Sequence, residues 1–350
     1  MSEPEIEVRD PVIEVRDPVI EVRDLEVVFR ARGGGQARAL DGVNFSVAKG
    51  EIVAIVGESG CGKTTLARTI LGLEKPATGE VLHNGVPLSY RAKDLKAYRR
   101  TVQLILQDPS GSLNPRHSVY EAVAEGPRVH RIDDELGQVN RALSQAGLRP
   151  PERFFLRYPH ELSGGQRQRV VIAGALALEP EVLVADEPVS SLDASVRGEI
   201  LALLLLLRRE LGLTVLVVTH DFGLAWNIAD RIVVMYLGRV VEQGRTEEVL
   251  ANPQHPYTQA LLSVVPEIEH REAIVLTGEP PDPTRIPTGC RFHPRCQSLA
   301  DGSAAAAGVA EHCAAADLPI LPAISEHTCA CWLTSSARDG RTGSAASSAR

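Results

Sequence analysis

The stretch Gly57-Glu58-Ser59-Gly60-Cys61-Gly62-Lys63-Thr64, with Thr65 behind it, satisfies G-x-x-x-x-G-K-[ST] at every fixed position. Three glycines allow a tight turn whose amides converge on an anion. Lys63 brings a cation to the β- and γ-phosphates of a nucleotide, and the Thr64 hydroxyl brings an oxygen ligand for Mg²⁺. Such a loop holds a nucleotide; hydrolysing one takes further carboxylates. Asp186 and Glu187 close the apolar run Val182-Leu183-Val184-Ala185, so Asp186 is read as a second metal ligand and Glu187 as the group that polarises the attacking water. A third element is Leu162-Ser163-Gly164-Gly165-Gln166. Ser163 and Gln166 have the spacing of a capping box, and the two glycines expose helix N-terminal amides to a phosphate. With one phosphate loop already present, this second N-terminus is expected to meet a nucleotide held by another subunit. Taken singly, the three stretches could be a glycine turn, a strand end and a capped helix. Their co-occurrence argues against the first two, and the third holds alongside the functional reading.

These residues need elements to position them. Ile52 to Val56 reads as a buried strand feeding the glycine loop, and Leu66 to Leu71 has helical spacing, which is the strand–loop–helix context the motif requires. Val81-Leu82 with Asn84-Gly85 suggests an early hairpin, and Val102 to Leu106 is a further apolar run ending at Gln107. From 108 to about 178 the pattern turns helical, with Leu136, Val139, Leu143 and Ala146 expected on one buried face. Strand–helix alternation then resumes with Val182 to Val184, a helix from 195 to 210, the strand Thr214 to Val218, and strands near Ile232 to Met235 and Arg239 to Glu242. The expected fold class is α/β: a P-loop NTPase core with a mainly parallel sheet covered on both faces, an antiparallel β region near the N-terminus and an inserted helical subdomain at 108–178. The heptapeptide beginning at Ile6 is repeated at Ile13 and, nearly, at Ile20; Asp-Pro closes the first two copies, so only the last is expected in the sheet. The division expected is a frayed repeat at 1–19, a nucleotide-binding domain at 20–265, a cysteine-containing extension at 266–333 and a disordered polar tail at 334–350.

A chain of 350 residues with 44% hydrophobic content can bury a substantial core, and its net charge of −8 opposes a general nucleic-acid partner. The longest apolar helix candidate, Ile200 to Leu207, stops at Arg208-Arg209, short of the ~20 residues a membrane span needs. The acidic N-terminus lacks a secretion-signal layout, so the expected place is inside the cell, docked peripherally on the cytoplasmic face of a membrane if one is served.

In order along the chain, Gly57 to Thr64, Gln107, Leu162 to Gln166, Val182 to Glu187, Ser191-Leu192-Asp193 and His220 resemble the ATP-binding subunit of an ABC transporter over about residues 20–265. The resemblance implies ATP with Mg²⁺ as ligand and a head-to-tail pair with a second ATP-binding subunit, identical or paralogous. Each ATP would lie between one phosphate loop and the partner's Ser163-Gly164-Gly165-Gln166 stretch. It further implies that Phe29 stacks on adenine, Gln107 senses Mg²⁺ and relays to membrane subunits, Asp193 communicates across the pair and His220 contacts the γ-phosphate. Implied partners are two integral membrane permeases and, indirectly, an extracytoplasmic substrate-binding protein.

Gln107-Asp108-Pro109, Ser112 to Arg116, Arg157 to Glu161 and Asn252 to Leu262 narrow the resemblance to the dipeptide, oligopeptide and nickel importers. Three features depart from that pattern: Gly174 where the family usually has arginine, a long alanine-rich spacer between Cys296 and Cys313, and the N-terminal repeat. Cys290, Cys296, Cys313 and Cys329 can be read as ligands of an iron–sulfur cluster, as ligands of a structural zinc, or as free thiols, and no tight C-x-x-C pair decides among these. Two other classes compete with an importer subunit. A soluble ABC-type ATPase of DNA repair or translation would be marked by a long coiled-coil insertion or a second nucleotide domain. A non-catalytic ATP-switch module is disfavoured by the intact Glu187.

Overall fold

In the computed structural model the residues described are 17–30, 35–265, 272–318, 320–323 and 327–334. Most of the N-terminal repeat, residues 31–34, and nearly all of the polar tail lie outside them. Among the described residues the strands are β1 (Pro18–Arg30), β2 (Gln36–Ala48), β3 (Ile52–Val56), β4 (Thr78–His83), β5 (Val86–Pro87), β6 (Val102–Ile105), β7 (Val182–Asp186), β8 (Thr214–Thr219), β9 (Arg231–Tyr236), β10 (Arg239–Arg245) and β11 (Thr328–Cys329). They form two sheets. One is antiparallel, in the order β2-β1-β4-β5; the other has the order β11-β10-β9-β3-β8-β7-β6. In the larger sheet β3 pairs in parallel with β8 and β9, and β7 with β6 and β8, while β10 and β11 run antiparallel at one edge. The structure is therefore the α/β, parallel-rich core with an antiparallel region near its N-terminus.

The burial of β3 explains why its five residues are all apolar. Ile52, Ala54 and Val56 face one hydrophobic cluster, and Val53 and Ile55 face another on the opposite side of the sheet. A strand covered on both faces reads as an unbroken apolar run. The first cluster includes the helix Ala194–Leu211 and the helices between β6 and β7; the second includes the antiparallel sheet and the helix Lys63–Ile70.

Between β6 and β7 the helices Val119–His130, Glu135–Gln145 and Gly164–Leu176 pack on one another. Val139, Leu143 and Ala146 are buried there, but Leu136 is 54% exposed, contrary to its expected place on the buried face. It lies in the first turn of its helix, next to the N-cap Asp134, before the apolar face meets its neighbours. At Gly174 an added Cβ would meet only the Ala122 carbonyl oxygen, at 4.0 Å.

Beyond β10 the chain packs back on the core through aromatics. Phe292 is 1% exposed, with ring centroids 5.3 Å from Tyr236 and Tyr257 and 5.7 Å from His255. His255 accepts from the Tyr257 N–H through Nδ1 at 3.0 Å, and burial holds its imidazole down to about 4, against a smaller upward pull from Glu242. Since the unfolded chain binds this proton near pH 6.5 and the folded one only near pH 4, the associated stability is full above 6.5 and is lost as pH falls toward 4, by roughly 3 kcal/mol. His255→Asn, which keeps a cap acceptor without titrating, is expected to flatten that part of the pH dependence. Denaturant midpoints between pH 7 and 4 with equal slopes for the two proteins would refute this.

Candidate functional site

The glycine loop joins the end of β3 to the helix Lys63–Ile70, and two of its glycines are there for want of space. A Cβ on Gly57 would sit 2.3 Å from the Met235 carbonyl oxygen, and one on Gly62 (φ 109°) 2.4 Å from that of Ala39. Lys63 is buried and folds back into its own loop, donating from Nζ to the carbonyl oxygens of Gly57 at 2.7 Å and Glu58 at 2.9 Å. Those bonds hold the ammonium under the loop, whose N–H groups and the start of the helix dipole make a cradle for phosphate.

A cleft of about 750 Å³ opens over the loop. It is lined by Phe29, by Gly57, Glu58, Ser59, Gly60, Gly62, Lys63, Thr64 and Thr65, and by Gln107, Glu187 and His220. Cys61 is the loop residue whose side chain turns away; it is 5% exposed, and burial pushes its thiol pKa up. Thr64 Oγ1 lies 3.4 Å from Asp186 Oδ1. Burial raises the Asp186 carboxyl above the usual carboxylate range, and neighbouring Glu187 adds to this against the Thr64 hydrogen bond. A hydroxyl and a carboxylate converging in a partly desolvated, negatively charged spot form a hard-oxygen donor set that fits Mg²⁺.

Glu187 follows β7 with φ 50°, a left-handed conformation that costs a non-glycine residue about 1–3 kcal/mol. Its N–H is held by the Val218 carbonyl at 2.8 Å. Carboxylate oxygen Oε1 accepts from the His220 N–H at 3.1 Å and lies 2.7 Å from His220 Nδ1. Gln107 Nε2 donates to Ser190 Oγ at 3.3 Å, and Ser190 Oγ donates to the Glu187 carbonyl at 3.2 Å. Ser190 thus joins Gln107 to the Glu187 backbone, a link that sequence reading missed because a serine in a loop carries no signal of its partners.

Ser163, Gly164, Gly165, Gln166 and Asp193 do not line this cleft. The capping box forms: Gln166 N–H donates to Ser163 Oγ at 3.2 Å and Ser163 N–H to Gln166 Oε1 at 3.1 Å. Asp193 is the N-cap residue of the helix Ala194–Leu211, without a side-chain cap bond. A Cβ on Gly165 would come 2.8 Å from Val196 Cγ1, so that glycine lets the two helix starts approach closely. Ser163 and Asp193 are exposed. The glycine-loop cleft and the capped helix N-terminus at Ser163 are therefore separate features of the chain.

The family profile described as "ABC transporter" matches residues 40–190, and "Oligopeptide/dipeptide transporter, C-terminal region" matches residues 241–301. The chain is 46% identical over 271 residues to the dipeptide transport ATP-binding protein DppF of Haemophilus influenzae, covering 75% of this chain and 81% of that protein. It is 45% identical over 272 residues to the oligopeptide transport ATP-binding protein AppF of Bacillus subtilis, covering 75% and 82%. The chain belongs to the ABC transporter ATP-binding family. Among solved structures, the dimeric ATP-binding cassette MJ0796 bound to ADP and Pi, 31% identical, matches this ABC subunit with a TM-score of 0.58 over 65% of this chain and 98% of that one. The resemblance read from the motif order is thereby borne out, down to the peptide-importer branch.

The matched C-terminal region of this ABC subunit ends at 301, inside the cysteine-bearing stretch. None of the six cysteines is in a disulfide, and among the described residues no group of three or more His, Cys, Asp or Glu side chains is placed to hold a metal ion. Cys290, Cys296, Cys313 and Cys329 are therefore not brought together as such a group among the described residues. Cys329 sits in β11, and its hydrogen bond holds the neighbouring Cys331 thiol below its usual value. Burial pushes Cys290 up to about 12 and Cys313 up to about 11, with Cys331 and not Cys329 among the charges that add to both. β11 itself was missed in the sequence because two residues between proline- and cysteine-rich loops show no alternation.

Proposed function

We propose that this ABC subunit hydrolyses ATP to drive import of di- and oligopeptides, working head to tail with a second ATP-binding subunit. The observation that supports the pairing is the separation of two features: the cleft lined by Lys63, Thr64 and Glu187, and the exposed, capped Ser163 N-terminus outside it. In this reading Phe29 meets adenine, the loop amides and Lys63 grip the β- and γ-phosphates, and the partner's Ser163-to-Gln166 stretch closes the γ-phosphate from above, with Asp193 at the pair's seam. Thr64, Asp186 and Gln107 would hold Mg²⁺, which supplies charge neutralisation on the phosphates when bound. Glu187 takes the proton of the attacking water, whose oxygen bonds to the γ-phosphorus as the bond to the ADP oxygen breaks. His220 donates toward the γ-phosphate oxygens. The Gln107–Ser190–Glu187 link gives membrane subunits a handle on that step.

Two integral permeases and, indirectly, an extracytoplasmic peptide-binding protein complete the importer, placing this subunit peripherally on the cytoplasmic face of the inner membrane. Among the described residues no helix is long and apolar enough to cross a membrane. The relatives named for peptide transport favour this over a soluble ATPase of DNA repair or translation. No cluster or zinc is assigned to the cysteines. In proteoliposomes containing the subunit with its permeases, a peptide-loaded binding protein is expected to raise ATP hydrolysis several-fold. Hydrolysis indifferent to peptide but stimulated by DNA or ribosomes would sink the importer reading.

A further inference from the structure

The segment between Cys290 and Cys296 is tied to the phosphate loop from two sides. Arg295, whose side chain is 6% exposed, places Nη1 2.6 Å and Nη2 3.0 Å from the two carboxylate oxygens of Glu58, the second residue of the loop. The Glu58 N–H donates to the Tyr257 hydroxyl at 2.8 Å, and Tyr257 packs on Phe292 of the same segment. On the other side Arg291 donates to the Leu237 carbonyl oxygen and to Asp41. Asp41 N–H in turn donates to the Gly238 carbonyl at 3.0 Å, and Gly238 N–H to the Cys61 carbonyl at 2.8 Å.

We propose that Arg295 is a positioning residue for the nucleotide: by pairing with Glu58 it neutralises a carboxylate in the wall of the cleft and fixes the loop, so that the C-terminal extension sets the affinity for ATP. The proposal rests on the ATP reading of the cleft. Glu58 lines the cleft, and unpaired it would face a polyphosphate with a like charge at short range. A bidentate guanidinium–carboxylate pair is the geometry that both cancels the charge and orients the backbone carrying it. The bridge holds Arg295 still more firmly protonated, mainly through the Glu58 hydrogen bond. Its two partners are 237 residues apart, so the extension's folded state is communicated directly to the loop.

The test is ATP affinity and KM against kcat, measured on the purified full-length chain. Arg295→Ala is expected to weaken ATP binding about tenfold with kcat nearly unchanged, and Arg295→Lys to recover part of the loss because it keeps charge but not the fork. Adding Glu58→Gln to Arg295→Ala is expected to return the affinity to near that of wild type, since the uncompensated carboxylate is then gone. A merely structural bridge would instead lower thermal stability and the active fraction, and the second substitution would not rescue it. If Arg295→Ala does not fold, Arg295→Gln carries the same expectation, a tenfold loss reversed by Glu58→Gln. Wild-type affinity in the Arg295 variants, or no reversal by Glu58→Gln, would overturn the proposal. A wild-type chain that does not bind ATP would overturn the cleft reading and this inference with it.

Discussion

Glu187→Gln is expected to cut ATP turnover by about 10²–10⁴-fold while leaving ATP affinity within about twofold of wild type. Glutamine is nearly isosteric and keeps an oxygen where Glu187 Oε1 accepts the His220 N–H, so the left-handed turn and its bond to Val218 survive. What disappears is a group that can take a proton. His220 Nδ1 also lies 2.7 Å from Glu187 Oε1, in a side chain 62% exposed at the cleft. The amide cannot take the water's proton, so bound ATP persists and, in the paired arrangement, the closed dimer with it. Single-turnover hydrolysis together with ATP-dependent dimerisation on a sizing column reads both effects. A variant that hydrolyses at the wild-type rate would remove Glu187 from the reaction.

The parts of this molecule legible in its sequence are those whose causes are local. A strand buried on both faces must be apolar throughout, and Ile52 to Val56 is. A capping box is set by two residues three apart, and Ser163 and Gln166 form one. The glycine loop announces itself because Gly57 and Gly62 have no room for a side chain. What stayed hidden depends on distant contacts. Leu136 has the spacing of a buried residue but sits where its helix has not yet met a neighbour. The Tyr257 hydroxyl on Glu58 and the Arg295 fork join residues 199 and 237 positions apart, and nothing in either neighbourhood names the other. The cysteine spacing gives no ground for choosing Cys329 over Cys331, whereas in the fold it is Cys331 whose charge acts on Cys290, Cys296 and Cys313.

Lys63→Ala is expected to lower ATP affinity by about 100-fold, on the order of 3 kcal/mol. The ammonium of Lys63 is buried and already desolvated, bonded to two carbonyl oxygens of its own loop. It can therefore turn to the β- and γ-phosphates without a further cost of leaving water, which makes its charge worth more here than on an exposed surface. Alanine removes the cation and also leaves the Gly57 and Glu58 carbonyls without their donor, so the loop loses its internal tie as well as its ligand contact. Lys63→Arg separates these two losses. It restores charge, but a planar fork does not reproduce a compact ammonium seated between two carbonyls beneath a tight turn, so an affinity loss of at least tenfold is expected to remain. Calorimetric titration with Mg·ATP, run alongside AMP, gives the contrast that matters. A defect confined to ATP ties Lys63 to the outer phosphates. An equal defect for both nucleotides assigns it to the shape of the loop, and undiminished ATP binding by Lys63→Ala would remove the cradle from the mechanism.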